Sequence, residues 1–154
     1  MSIYYATPLV NEAELAQAKA VLGPGLTRIL SYFRDDGAKS IVMIEEALAE
    51  QNAAGLVIPA HTLKGESRQF GARRLAELAE AIEMTARRCI EQHSDPAEIA
   101  GEVAMLRGCF VETLALLEAA VPPAPQPGPT SFSPAAPRQA PSASTPRTFG
   151  RRIG

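Results

Sequence analysis

Apolar residues recur along this chain at every third or fourth position, the spacing of one face of a helix, and almost nowhere alternate as a strand requires. Leu26, Ile29, Leu30 and Phe33 form a short stripe, and Ile41, Ile44 and Leu48 mark a helix over about residues 38–51. Leu56, Ala60, Leu63 and Phe70 share a face over residues 53–70, and Leu75, Leu78, Ala79, Ile82, Ala86 and Ile90 share one over about 72–92. A last stripe runs through Ile99, Val103, Leu106, Phe110, Leu114 and Leu117. Helix punctuation agrees with these spans. Asn11 with Glu14 reads as a cap and its box partner, and Asp95-Pro96-Ala97-Glu98 repeats the pattern with Pro at the first helical position. Gly23-Pro24-Gly25 closes the first helix, and Asp35-Asp36-Gly37 predicts a break between a short second helix and the next one. Four substantial helices joined by short loops, with extra short helices at the N-terminus, predict an all-α antiparallel four-helix bundle.

Composition sharpens the boundaries. The 154 residues are 46% hydrophobic, enough for one packed core, and only 5% aromatic with no Trp, which suits helices better than sheets. Nine of the 13 prolines lie beyond residue 121, among Ala, Ser and Gln, and the charged residues of that stretch are four arginines. Residues 122–154 are therefore expected to be a disordered, Pro/Ala-rich basic tail. The expected organisation is an N-terminal segment and helix over 1–23, the bundle over 24–121, and the tail. The N-terminal cap and this tail read as marks of a self-contained protein.

Charge is nearly balanced, with 15 Lys and Arg against 17 Asp and Glu, so neither nucleic acid nor an anionic membrane is expected as a partner. No run approaches the roughly 20 apolar residues of a membrane span, and no basic stretch precedes an apolar one at the start, so a cytoplasmic protein is expected. Cys89 and Cys109 lack close ligand spacing and are expected to be buried free thiols. His93, just before Ser94-Asp95-Pro96, reads as a structural residue at a helix C-terminus. It is too isolated to form a metal site with His61, and no metal site is expected.

The segment that carries chemistry is 53–70. At about 100° per residue its apolar stripe centres roughly 140° from His61, which should point away from the core. Lys64, Gly65 and Arg68 follow at three, four and seven residues, on the same side of the helix as His61. An ordinary exposed imidazole is largely neutral at pH 7, and the neutral ring is a nucleophile. A cation one turn away could pair with a phosphoryl group attached to that ring, and the glycine would leave bare helix where a partner's active site can approach. The pattern suits phosphoryl transfer through a covalent histidine intermediate.

His61-Thr62-Leu63-Lys64-Gly65, then Gly71-Ala72 and the Leu75, Leu78, Ala79, Glu83 pattern, resembles the histidine-containing phosphotransfer (HPt) family, whose signature is H-x-L-K-G with a further Gly six residues on. The resemblance spans roughly residues 26–117. It implies a bundle whose solvent-facing His61 accepts a phosphoryl group from an aspartyl receiver domain, or passes one on. Lys64 would be the phosphoryl stabiliser, Gly65 and Arg68 partner-binding positions, and Gly71 a packing glycine where two helices meet. It also implies no intrinsic cofactor, since the receiver brings the catalytic Asp and Mg²⁺. The partners would be receiver domains of hybrid histidine kinases and response regulators, and the chain a monomer.

Two departures from the family pattern bear on the site. Pro59, two residues before His61, predicts that the helix starts or bends there. Glu66 and Arg68 stand where family members often carry small residues, and would bias which receiver docks.

Two other readings of the same surface stay open. A dimeric phosphotransfer domain of the sensor-kinase type has a motif like H-E-L-K-x-P, whereas Thr62 replaces the acidic residue here and no Pro follows Lys64. A non-catalytic adaptor could bind a kinase or receiver through this face. The chain has no Gly-rich nucleotide loop, so no autonomous ATP-dependent kinase activity is expected.

Overall fold

The computed structural model describes residues 3–121, and within them every regular element is helical. The segment 122–154, with the disorder expected of it, lies outside the described residues. Five α-helices follow one another: α1 (Glu12–Leu22), α2 (Leu26–Ala49), α3 (Ala53–Gln69), α4 (Arg73–Gln92) and α5 (Ala100–Ala120). The connections from α2 to α3 and from α3 to α4 are three residues each, which forces antiparallel neighbours. Helix α2 packs on α3, α3 on α4, α4 on α5, and α5 returns to α2, closing a four-helix ring around one core. Among the described residues no helix is long and apolar enough to cross a membrane.

The expected break at Asp35-Asp36-Gly37 does not occur. A single helix runs through it, because the buried positions Leu30, Phe33, Gly37, Ile41 and Ile44 keep helical spacing across the motif while Asp35 and Asp36 face solvent. A Cβ on Gly37 would lie 2.6 Å from the Phe110 ring. The glycine is there for close packing against α5, and that packing outweighs its propensity cost of about 1 kcal/mol. Phe110 and Phe70 flank Phe33, with ring centroids 5.6 and 5.2 Å away, and this trio ties α2, α5 and the α3–α4 turn together.

The N-terminal cap forms in half of the expected way. The Asn11 side chain accepts from the Glu14 amide at 2.9 Å, but the Glu14 carboxylate turns to Arg73, and the Asn11 amide donates to the Gly71 carbonyl at 2.8 Å. Helix α1 is thereby fastened to the turn between α3 and α4. Ahead of it, a short 3₁₀ turn (Ile3–Ala6) and the residues after it lie on α4, where Arg74 donates to the Thr7 carbonyl at 2.9 Å and stacks on Tyr5.

Helix α3 begins at Ala53, capped by Asn52, whose side chain accepts from the Gly55 amide. It continues through buried Pro59, so the helix neither starts nor stops at the proline. Helix α4 ends where His93 takes a left-handed conformation, φ 52°, and Ser94 donates back to the Cys89 carbonyl. The start expected at Asp95 is present, with the Asp95 carboxylate accepting from the Ala97 amide, but one 3₁₀ turn (Pro96–Ile99) precedes α5. Cys89 and Cys109 are buried free thiols, and burial pushes the Cys109 thiol up from its ordinary pKa.

Candidate functional site

Leu56, Ala60 and Leu63 are fully buried on the inner face of α3, as is Phe70 just past its end, and that fixes the roll of the helix. His61 consequently faces outward with its side chain 64% exposed. Gly65, one turn further on, is open, and a Cβ there would meet no atom within 4 Å. Ile58, one turn before His61, and Met84 on α4 are exposed apolar side chains.

Underneath the imidazole lies a carboxylate. Glu83 occupies the inner side of α4 beside Ile82 and one turn before Ala86, and its side chain is only 5% exposed. Its Oε1 is 3.0 Å from His61 Nδ1, and the same oxygen accepts from Arg87 Nη2 at 2.9 Å and Nε at 3.2 Å. Lys64 Nζ reaches Oε2 at 2.6 Å. Burial pushes the Glu83 carboxyl up, but hydrogen bonds from Lys64, Arg87 and His61, together with the Lys64 charge, more than reverse this and hold it at about 2. Ionised Glu83 can only accept, so Nδ1 carries the hydrogen in that contact. In the neutral ring the lone pair then sits on Nε2, the nitrogen turned away from Glu83.

Four side chains from two helices therefore meet: His61 and Lys64 from α3, Glu83 and Arg87 from α4. The remaining candidate residues lie elsewhere. Arg68 sits two turns along α3 from His61 and pairs with Glu80 at 3.2 Å. Gly71 belongs to the turn after α3, with φ +70°, and a Cβ would fall 2.9 Å from the Asn11 carbonyl and 2.8 Å from Glu14 Cβ. That position needs glycine for its backbone conformation and for the close approach of α1.

Glu83 stands in the pattern that carries the family resemblance without a role attached to it there, and Arg87 lies outside that pattern; both are functional candidates. A signal was present: Glu83 adjoins the apolar stripe of α4, where an ionised residue needs partners, and Arg87 follows at the i+4 position that pairs with it. Lys64 also differs in setting from the exposed patch expected of it. Its side chain is 15% exposed and its ammonium lies against Glu83.

An antiparallel four-helix ring that turns one imidazole outward, with the inner ring nitrogen held by a buried carboxylate, has the architecture of a histidine phosphotransfer module. The chain belongs to the Hpt domain family, whose model matches residues 28–121. Among solved structures it is similar to histidine-containing phosphotransfer protein B from Pseudomonas aeruginosa PAO1, with a TM-score of 0.65 and 24% identity over 74% of this chain and 95% of that one. At that identity the likeness speaks to the fold. No curated protein matches the chain. Family and fold together support a histidine phosphotransfer role in phosphorelays, in which Hpt proteins interact with receiver domains of kinases and response regulators.

Proposed function

We propose that this protein is a phosphorelay intermediate that carries a phosphoryl group on Nε2 of His61 between the receiver domain of a hybrid histidine kinase and that of a response regulator. The observation that carries the reading is the 3.0 Å contact between His61 Nδ1 and ionised Glu83, on a ring otherwise open to solvent. It presents the Nε2 lone pair to an incoming aspartyl phosphate. The N–P bond forms as the acyl phosphate P–O bond breaks, and that electron pair leaves on the receiver's carboxylate. The ring becomes an imidazolium bearing the phosphoryl group, and Glu83 stabilises the positive charge that develops on it. Lys64 keeps positive potential one turn from the acceptor nitrogen.

The receiver supplies the catalytic Asp and Mg²⁺, and this chain supplies the nucleophile and its electrostatic setting. Besides the imidazole, the groups paired with Glu83 are an ammonium and a guanidinium, which repel a cation instead of ligating one. Exposed Gly65 allows close approach, while Ile58, Met84 and Arg68 offer apolar and charged contacts around it. A cytoplasmic location follows from these partners.

The test is to mix the full chain with a phosphorylated receiver and Mg²⁺ and follow intact mass at neutral to alkaline pH. One acid-labile phosphoryl group on the wild type, absent from His61→Gln, is expected. Receiver binding without any label on the wild type would replace phosphotransfer with the adaptor reading.

A further inference from the structure

The outward face of α5 lacks the charge that a solvent-facing helix surface ordinarily carries. Its exposed positions Gly101, Ala104, Gly108, Val111 and Ala115 follow one another at intervals of three and four residues, and none is polar. The exposed side of α2, by comparison, bears Arg28, Asp35, Asp36, Lys39 and Glu46. Val111, in the middle of the α5 face, is 59% exposed, and Leu116 beside it 48%. A Cβ on Gly101 or Gly108 would meet no atom within 4 Å, so neither glycine serves the packing of its own chain as Gly37 does, although each weakens the helix it sits in. We propose that this face is a homodimer seam, on which α5 packs in parallel against α5 of a second copy of this chain.

Charge and period select a second copy as the occupant. Arg107 and Glu112 stand on opposite flanks of the face, five residues apart and both exposed. Those are the flanking positions that a parallel two-fold pair of helices brings together, so each copy offers Arg107 to Glu112 of the other and the contact closes on itself with two opposite-charge pairs. An antiparallel pair would set Glu112 against Glu112 instead. The other flanking positions, Ala100 and Leu114 on one side and Met105 and Ala119 on the other, are apolar and oppose no charge to these pairs. The spacing of the exposed positions over residues 101–115 is the heptad pattern that keeps two helices in register along their length. Glu118, which pairs with Arg34 of its own chain, ends the seam. Arg107 is already held by Glu45 at 2.7 Å, which keeps the guanidinium at the rim. Helix α5 contacts α4 and α2, and α3 lies across the ring, so the seam leaves both His61 side chains open. Each copy keeps its complete four-helix ring, and the assembly differs from the monomer that the family resemblance implies. The proposal stands apart from the phosphoacceptor reading of His61. One helix a side makes a small contact, and a reversible dimer of about micromolar affinity is expected.

Analytical ultracentrifugation of the full chain from about 1 to 200 μM tests the seam. A reversible rise from the mass of one chain, 16.4 kDa, to twice that mass is expected. Glu112→Arg is expected to weaken the dimer about tenfold, because it opposes Arg107 of the other copy. Gly108→Glu, whose side chain starts in open space within its own chain, is expected to abolish the dimer while the helical signal in circular dichroism stays at its wild-type strength. Ala104→Cys is expected to give a disulfide-linked dimer under mild oxidation that the wild type does not give, since a parallel two-fold places residue 104 opposite itself. A wild type that stays monomeric throughout would overturn the inference. So would a dimer that survives Gly108→Glu, which must use another face, or one that Ala104→Cys does not cross-link, which must run in another direction.

Discussion

Two glutamates near the outward face of α3 have opposite fates. Glu83 is the more buried by solvent exposure, yet three basic side chains draw its carboxyl down to about 2. Glu66, on α3 itself, is half-buried, and burial followed by the charge of Asp36 raises its carboxyl above the ordinary value. Depth alone therefore does not set the charge of a carboxylate in this protein; the company it keeps does. The site uses the glutamate that is both sheltered and compensated, which fixes a permanent negative charge beneath the imidazole.

The sharpest way to break this contrast is Glu83→Ala. It leaves Lys64 without its counter-ion, frees the imidazole to turn, and is expected to cost about 3 kcal/mol in chemical denaturation. Transfer from a phosphorylated receiver should fall by at least about tenfold, read by intact mass against time.

An acid titration of Glu83→Gln against wild type is expected to show the next largest effect. A carboxyl held down in the folded state contributes stability above the ordinary value of 4.5 and loses it as pH falls toward about 2. The stability gap between the two proteins should be widest near neutral pH and close across that window, and a gap independent of pH would contradict the charge assigned to Glu83.

Glu66→Gln carries the opposite sign. A raised carboxyl destabilises the folded state while ionised, so the variant should be more stable than wild type near neutral pH and lose that advantage under acid. The gain should be small, about 0.5 kcal/mol, because Glu66 is only partly shielded from solvent screening. Smallest of all should be Arg107→Ala. Arg107 pairs with Glu45 at 2.7 Å, but with side chains 57% and 40% exposed the loss should stay within about 0.5 kcal/mol.

Much of this architecture is legible in the sequence because helical spacing is a local property. The stripe through Leu56, Ala60 and Leu63 orients α3 and sends His61 outward without reference to any other helix. Asn11 likewise announces the start of α1. What stays hidden depends on contacts between helices. Gly37 reads as a breaker until Phe110 is seen to need the space, and Glu14 reads as a box partner until Arg73 arrives from across the molecule. Glu83 is 22 residues from His61 in sequence, and only the packing of α4 on α3 brings their side chains together. The destination of the Lys64 ammonium is hidden for the same reason: spacing gives the direction of a side chain but not what waits there.

The three-residue turn between α3 and α4 has a kinetic consequence. His61, Lys64, Glu83 and Arg87 all belong to one helical hairpin, so assembling them requires closing only a short loop, whereas seating α5 against α2 requires ordering most of the chain. The end of the bundle that carries His61 is thus set to organise early in folding. The turn also separates the four clustered side chains from the exposed surfaces of α1, α2 and α5, which substitutions can change without touching the hairpin.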